Sequence, residues 1–116
     1  MSRMRFANTS ASDMRAVDTN LVVRLLVRDD LQQVELAEKF ISGGAWVSHL
    51  VLVETIWVLD AVYARTAEHI VAAVDMLLNH ETLTLQDADV VTSALEQFRK
   101  RSVLGFSDCL VLETAR

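Results

Sequence analysis

The sequence predicts a helix-rich α/β fold built on a short parallel sheet, and three observations carry that prediction. Apolar, strand-like runs of about four residues alternate with longer segments of helical periodicity. Proline is absent and glycine occurs only three times, so few breakers interrupt the helices. Capping and turn residues then fall at the seams between the segments.

Each element follows in order. Residues 1–13 are polar, small and unpatterned, and read as a flexible tail ahead of one domain spanning 14–116. Met14–Asp18 reads as a first strand running straight into a helical pattern over Thr19–Val27. Asp30 offers an N-cap, with Gln33 as a capping-box partner, for a helix through Ile41 that Gly43-Gly44 stops. Ala45–Ser48 is a second strand, and Ser48 caps a long apolar helix containing Glu54.

Arg65-Thr66 breaks that helix, and Thr66 can cap the next, Ala67–Asn79. Leu83–Gln86 alternates as a third strand. Asp87 caps Ala88–Arg101, whose Asp89 near the start and Arg99-Lys100-Arg101 at the end complement the helix dipole. After a turn at Leu104-Gly105, a last helix starts around Ser107 and runs to Arg116.

Bulk properties narrow the class. With 116 residues and 52% hydrophobic content, at a mean hydropathy of +0.27, the chain can bury a core and is not disordered. Glu54 and Asp60 interrupt the longest apolar run, which falls short of the ~18 residues of a membrane span. No secretory h-region follows Arg3 and Arg5, so the expected address is cytoplasmic. The single cysteine, Cys109, excludes an intrachain disulfide and a multi-cysteine zinc site, and its apolar setting makes it an inert core thiol. The net charge of −5 is the wrong sign for an ordinary nucleic-acid binder. An acidic chain that handles nucleic acid needs metal ions and a local basic patch, or else a basic partner segment docks on it.

Three acids stand in apolar company: Asp18 after the first strand, Glu54 in mid-helix, and Asp108 at the start of the last helix. An uncompensated buried carboxylate costs several kcal/mol, so convergence of the three on a divalent cation is the economical reading. Each also has a plain structural reading. Asp18 and Asp108 can be helix caps, and Glu54 can pair with an arginine such as Arg24.

The segments Ala16-Val17-Asp18-Thr19-Asn20, Leu52–Leu59 around Glu54, and Phe106-Ser107-Asp108-Cys109-Leu110 together resemble the PIN-domain family, and within it the VapC-type ribonuclease toxins of toxin–antitoxin pairs. The resemblance spans Met14–Arg116. It implies a three-layer α/β/α fold and an endoribonuclease that hydrolyses RNA with a metal-activated water. It further implies Mg²⁺ or Mn²⁺ held by Asp18, Glu54 and Asp108, with Thr19 and Asn20 supporting the first acid, a cognate antitoxin, and a homodimer. The family usually continues past this helix into a further strand and a fourth acidic residue, which the chain up to Arg116 lacks. The rival expectation is therefore an inert, shortened PIN domain serving as a dimerisation or antitoxin-binding module. A receiver-like phosphoacceptor is excluded, because it needs paired acids after the first strand and a lysine near the last.

The other charged and aromatic residues read more plainly. Arg24 and Arg28, one helical turn apart, either flank the acids and grip phosphate or serve as solvated arginines, with Asp29 or Asp30 as possible ion-pair partners. Arg99-Lys100-Arg101 matches the helix dipole better than it makes an RNA patch. His49, His69 and His80 have no metal-ligand spacing and are expected at the surface or in caps. Trp46 and Trp57 are expected as core or dimer-interface anchors.

Overall fold

A computed structural model describes residues 15–100 and 104–116. The expected tail over 1–13, Met14 and Arg101 lie outside the described residues. The elements are β1 (Arg15–Ala16), α1 (Thr19–Val27), α2 (Leu31–Ile41), β2 (Ala45–Val47), α3 (His49–Ala61), α4 (Ala67–Asn79), β3 (Leu83–Leu85), α5 (Ala88–Lys100) and α6 (Phe106–Thr114). The fold is the helix-rich α/β arrangement the sequence predicts, with a three-stranded parallel sheet in the order β1-β2-β3. Register pairs Ala16 with Trp46, and Val47 with Leu85. The strands are shorter than expected. Beyond them the ladder continues as single bonds, Val17 N–H to Trp46 O at 3.1 Å, Ala45 N–H to Thr82 O at 2.8 Å and Gln86 N–H to Val47 O at 2.8 Å.

Parallel strands require crossovers, and here helix pairs supply them: α1–α2 between β1 and β2, and α3–α4 between β2 and β3. Alternation along β2 and β3 buries Ala45, Val47, Leu83 and Leu85 and leaves Trp46 and Thr84 outward. Onto these strands pack Val22 and Leu25 of α1, Ile41 of α2, Leu52 of α3, Val74 and Leu77 of α4, and Val91 and Leu95 of α5. Fully burying each such side chain contributes about 1.5–3 kcal/mol.

Local chemistry sets the seams. Asp30 Oδ1 accepts from the Gln32 and Gln33 N–H groups, although Gln33 makes no reciprocal bond among the described residues. Ser48 Oγ accepts from Val51 N–H at 3.1 Å. Thr66 and His69 form a full capping box, so His69 has the capping role expected of it. Gly44 takes φ of 103°, a conformation that closes α2 and that a side chain would strain.

Two expectations are corrected. Asp87 does not cap α5 with its side chain: its backbone is left-handed at φ 44°, and its carbonyl, not its carboxylate, accepts from Val90 and Val91. Trp46 and Trp57 are not core anchors, being 37% and 59% exposed. Trp46 lies on the outward phase of β2, and Trp57 lies on the far side of α3 from its buried residues Leu52, Thr55, Ile56 and Leu59. Apolar residues occur on every side of helix α3, and apolar surroundings in sequence misled the burial reading.

Candidate active site

Because α1, α3 and α5 each start two or three residues after a strand, their N-termini gather at the carboxyl end of the sheet. Open α/β sheets assemble sites at that end. Asp18 stands there as the N-cap of α1, with extended backbone and Oδ1 accepting from Leu21 N–H at 2.9 Å. The capping role read as an alternative from the sequence is therefore real, and it leaves Oδ2 with no hydrogen bond among the described residues.

Glu54 is held from the same turn. The Thr19 hydroxyl donates to Glu54 Oε1 at 2.8 Å, bridging 35 positions of sequence and joining α1 to α3. Among the described residues Arg24 makes no ion pair with Glu54, so the partner of this acid is a hydroxyl and not a guanidinium. A hydroxyl donor holds the carboxylate without neutralising it, and Oε2 is left free of hydrogen bonds within the described residues.

Asp108 lies in the first turn of α6, whose N-cap Gly105 provides no side-chain bond. It lines a cleft of about 430 Å³ together with Trp57 and Asp60 of α3. Thus the three acids stand on α3 or at the starts of α1 and α6, the helices that contact it. Among the described residues, however, no three His, Cys, Asp or Glu side chains are grouped closely enough to hold a metal ion. Hard carboxylate oxygens with unused lone pairs suit Mg²⁺ or Mn²⁺ by donor chemistry. Closure of the three acids around one ion is not seen.

Burial departs from expectation. Asp18 and Asp108 are exposed and Glu54 is half-buried. The apolar neighbours that argued for burial are themselves at the surface: Leu50 and Trp57 beside Glu54, and Val111 and Leu112 beside Asp108. What the sequence reading took for an electrostatic cost is, at two of the three positions, a solvated carboxylate.

Asn20 is exposed in the first turn of α1, beside Thr19. Arg28 is displaced from this end altogether. It is the left-handed C-cap of α1, a nine-residue helix about 13 Å long, and it pairs with Glu38 at 3.5 Å instead of Asp29 or Asp30. His80 Nε2 reaches the other oxygen of Glu38 at 3.4 Å.

Two features escaped the sequence reading. The His49 N–H donates to Gln86 Oε1, and the His49 ring Nε2 meets Gln86 O, both at 2.8 Å. A carbonyl only accepts, so Nε2 carries the proton. This clasp joins the carboxyl ends of β2 and β3. Glu113, at 10% side-chain exposure, pairs with Arg116 at 3.5 Å. Cys109 is buried as expected, and burial, followed by repulsion from Asp108 and Glu113, raises its thiol above the ordinary value of 9.0.

No helix among the described residues is long and apolar enough to cross a membrane. Searches of curated proteins and of solved structures returned no match. The PIN domain family model matches residues 15–116, which includes every candidate site residue. PIN domains are in general nucleases and typically use divalent metals. The chain belongs to the PIN domain family.

Proposed function

We propose that this PIN domain is a Mg²⁺- or Mn²⁺-dependent endoribonuclease of the toxin type, acting in the cytoplasm as a homodimer and restrained by a cognate antitoxin. The observation that carries the proposal is the Thr19–Glu54 hydrogen bond, which fixes a mid-helix carboxylate beside the Asp18 turn at the carboxyl end of the sheet. Asp18, Glu54 and Asp108 would hold the cation. When bound, it supplies a water of lowered pKa and charge stabilisation at the phosphodiester.

The chain's own residues prepare that site. Thr19 orients Glu54 and spends only one of its oxygens, and the α1 N-terminus holds Asp18 in the same way. Each carboxylate thereby keeps one oxygen free of hydrogen bonds among the described residues, a donor that a cation needs and that an anionic RNA resists. Seating of the phosphodiester at these acids is accordingly expected to depend on the metal in a chain of net charge −5.

A second reading, an inert dimerisation or antitoxin-binding module, draws support from the absence of a closed three-acid group among the described residues and from the exposed Leu50 and Trp57 on α3. Cleavage of a mixed-sequence RNA separates the two. The enzyme reading expects cleavage in Mn²⁺, none in chelator, and a loss of at least a hundredfold in Glu54→Gln. Intact RNA under all conditions, with the protein folded, leaves the module reading.

A further inference from the structure

Asp60 is an acid that the metal-site reading leaves unused, and it lines the same cleft as Asp108. The cleft's volume of about 430 Å³ falls within the ~300–1,000 Å³ of small-molecule sites. Its floor is apolar, made by Ile56, Ile70, Phe98 and Phe106. At its rim stand the exposed indole of Trp57, the Asp60 carboxylate and Arg65. Arg65 is presented by a tight turn after α3: Ala64 takes a left-handed φ of 49°, and Arg65 N–H closes back on Leu59 O at 3.1 Å. Among the described residues neither Asp60 nor Arg65 is engaged in an ion pair, so both remain available to a ligand.

We propose that this cleft binds an unpaired guanine base of the RNA substrate, with Asp60 and Arg65 reading its edges and Trp57 stacking on its face. The inference rests on the ribonuclease reading and names the specificity element of that site.

The choice of base follows from donor and acceptor patterns. A carboxylate only accepts. Guanine alone presents two adjacent donors, N1–H and N2–H, which one carboxylate can take together. Adenine and cytosine each set a single amino donor beside an acceptor nitrogen, and uracil sets its one imino donor between two carbonyls. Against Asp60 those neighbouring lone pairs are repulsive. Arg65 completes the match, since O6 and N7 of guanine are the acceptors a guanidinium favours. Single-stranded RNA is commonly read this way, by bases splayed out onto aromatic and guanidinium planes. An apolar floor with one acceptor and one donor at the rim suits a planar base better than a bare phosphate, which Asp60 and Asp108 would repel.

Calorimetric titration of the whole chain in EDTA, with the 5′-monophosphates of guanosine, adenosine, cytidine and uridine and with ribose 5-phosphate, tests the proposal. The expected result is guanosine monophosphate binding at least tenfold tighter than the other four. Asp60→Asn and Arg65→Ala should each lose at least tenfold of it while keeping the wild-type circular dichroism spectrum. Equal binding of all four nucleotides, binding of ribose 5-phosphate as tight as that of guanosine monophosphate, an unaffected Asp60→Asn, or no binding at millimolar ligand overturns it. Because binding is read without cleavage, selective guanosine binding with no RNA cleavage in Mn²⁺ sinks the nuclease reading alone. Cleavage without guanosine binding sinks the cleft assignment alone.

Discussion

The hydroxyl of Thr19 donates to Oε1 of Glu54 at 2.8 Å, so the turn that carries Asp18 also fixes the acid of the third helix. A hydrogen bond to a charged group is worth about 1.5–3 kcal/mol, and partial exposure of this one favours the lower end. Thr19→Val is expected to cost about 1–2 kcal/mol in urea denaturation and to lower RNA cleavage by more than tenfold, whereas Thr19→Ser keeps both. If Thr19→Val cleaves as wild type, Thr19 does not position Glu54 for the reaction.

The His49–Gln86 clasp gives a prediction about stability alone. Gln86→Ala removes the acceptor of the His49 backbone N–H at the start of α3 but keeps the backbone carbonyl that takes Nε2–H. Leaving a half-buried donor unpaired costs about 1–2 kcal/mol. The urea midpoint should fall accordingly, with no change in the slope of the transition.

At the far end of α1, Arg28 behaves as a surface group. Its pair with Glu38 is about half exposed on both sides, and such pairs contribute roughly 0–1 kcal/mol. Arg28→Ala should leave the urea midpoint nearly unchanged and RNA cleavage within about twofold of wild type, a separation that follows from the length of the helix. A tenfold loss of cleavage would return Arg28 to the substrate path.

Cys109 predicts a pH dependence. Its thiol is raised above 9.0 in the folded chain by burial first and by Asp108 and Glu113 second. In the window between the unfolded and folded values the unfolded chain has lost the proton and the native one keeps it, so stability falls as pH rises. The thiol's contribution is fully present below 9.0 and is lost as pH rises through the folded value. Unfolding midpoints measured upward from pH 8 should therefore decline, and Cys109→Ala should flatten that decline. A native thiol reagent should react slowly throughout.

Much of this molecule was legible in its residues because the responsible forces are local. Asp30, Ser48 and Thr66 cap the helices they precede, since each is a short polar side chain one step ahead of an apolar period. Alternation in Leu83–Gln86 marked the third strand, whose Leu83 and Leu85 are buried. The burial of the acids was not legible. Periodicity reports which residues share a face of α3 or α6, but it does not say which apolar faces are covered, and Leu50, Trp57, Val111 and Leu112 are exposed. Asp87 misled for a related reason: a left-handed backbone turned its carbonyl, not its carboxylate, onto the helix. The Glu38 partner of Arg28 and the Gln86 partner of His49 are contacts between elements, fixed by packing that no local pattern records.

The central claim is that Asp18, Glu54 and Asp108 serve one divalent cation, and Mn²⁺ titration by calorimetry tests it most directly. Wild type should bind Mn²⁺ at submillimolar concentration. Asp18→Asn, Glu54→Gln and Asp108→Asn should each weaken binding at least tenfold, and any two combined should lose less than the sum of the singles, as ligands of a common ion do. Absence of binding at millimolar Mn²⁺, or single variants that bind as tightly as wild type, would contradict the claim.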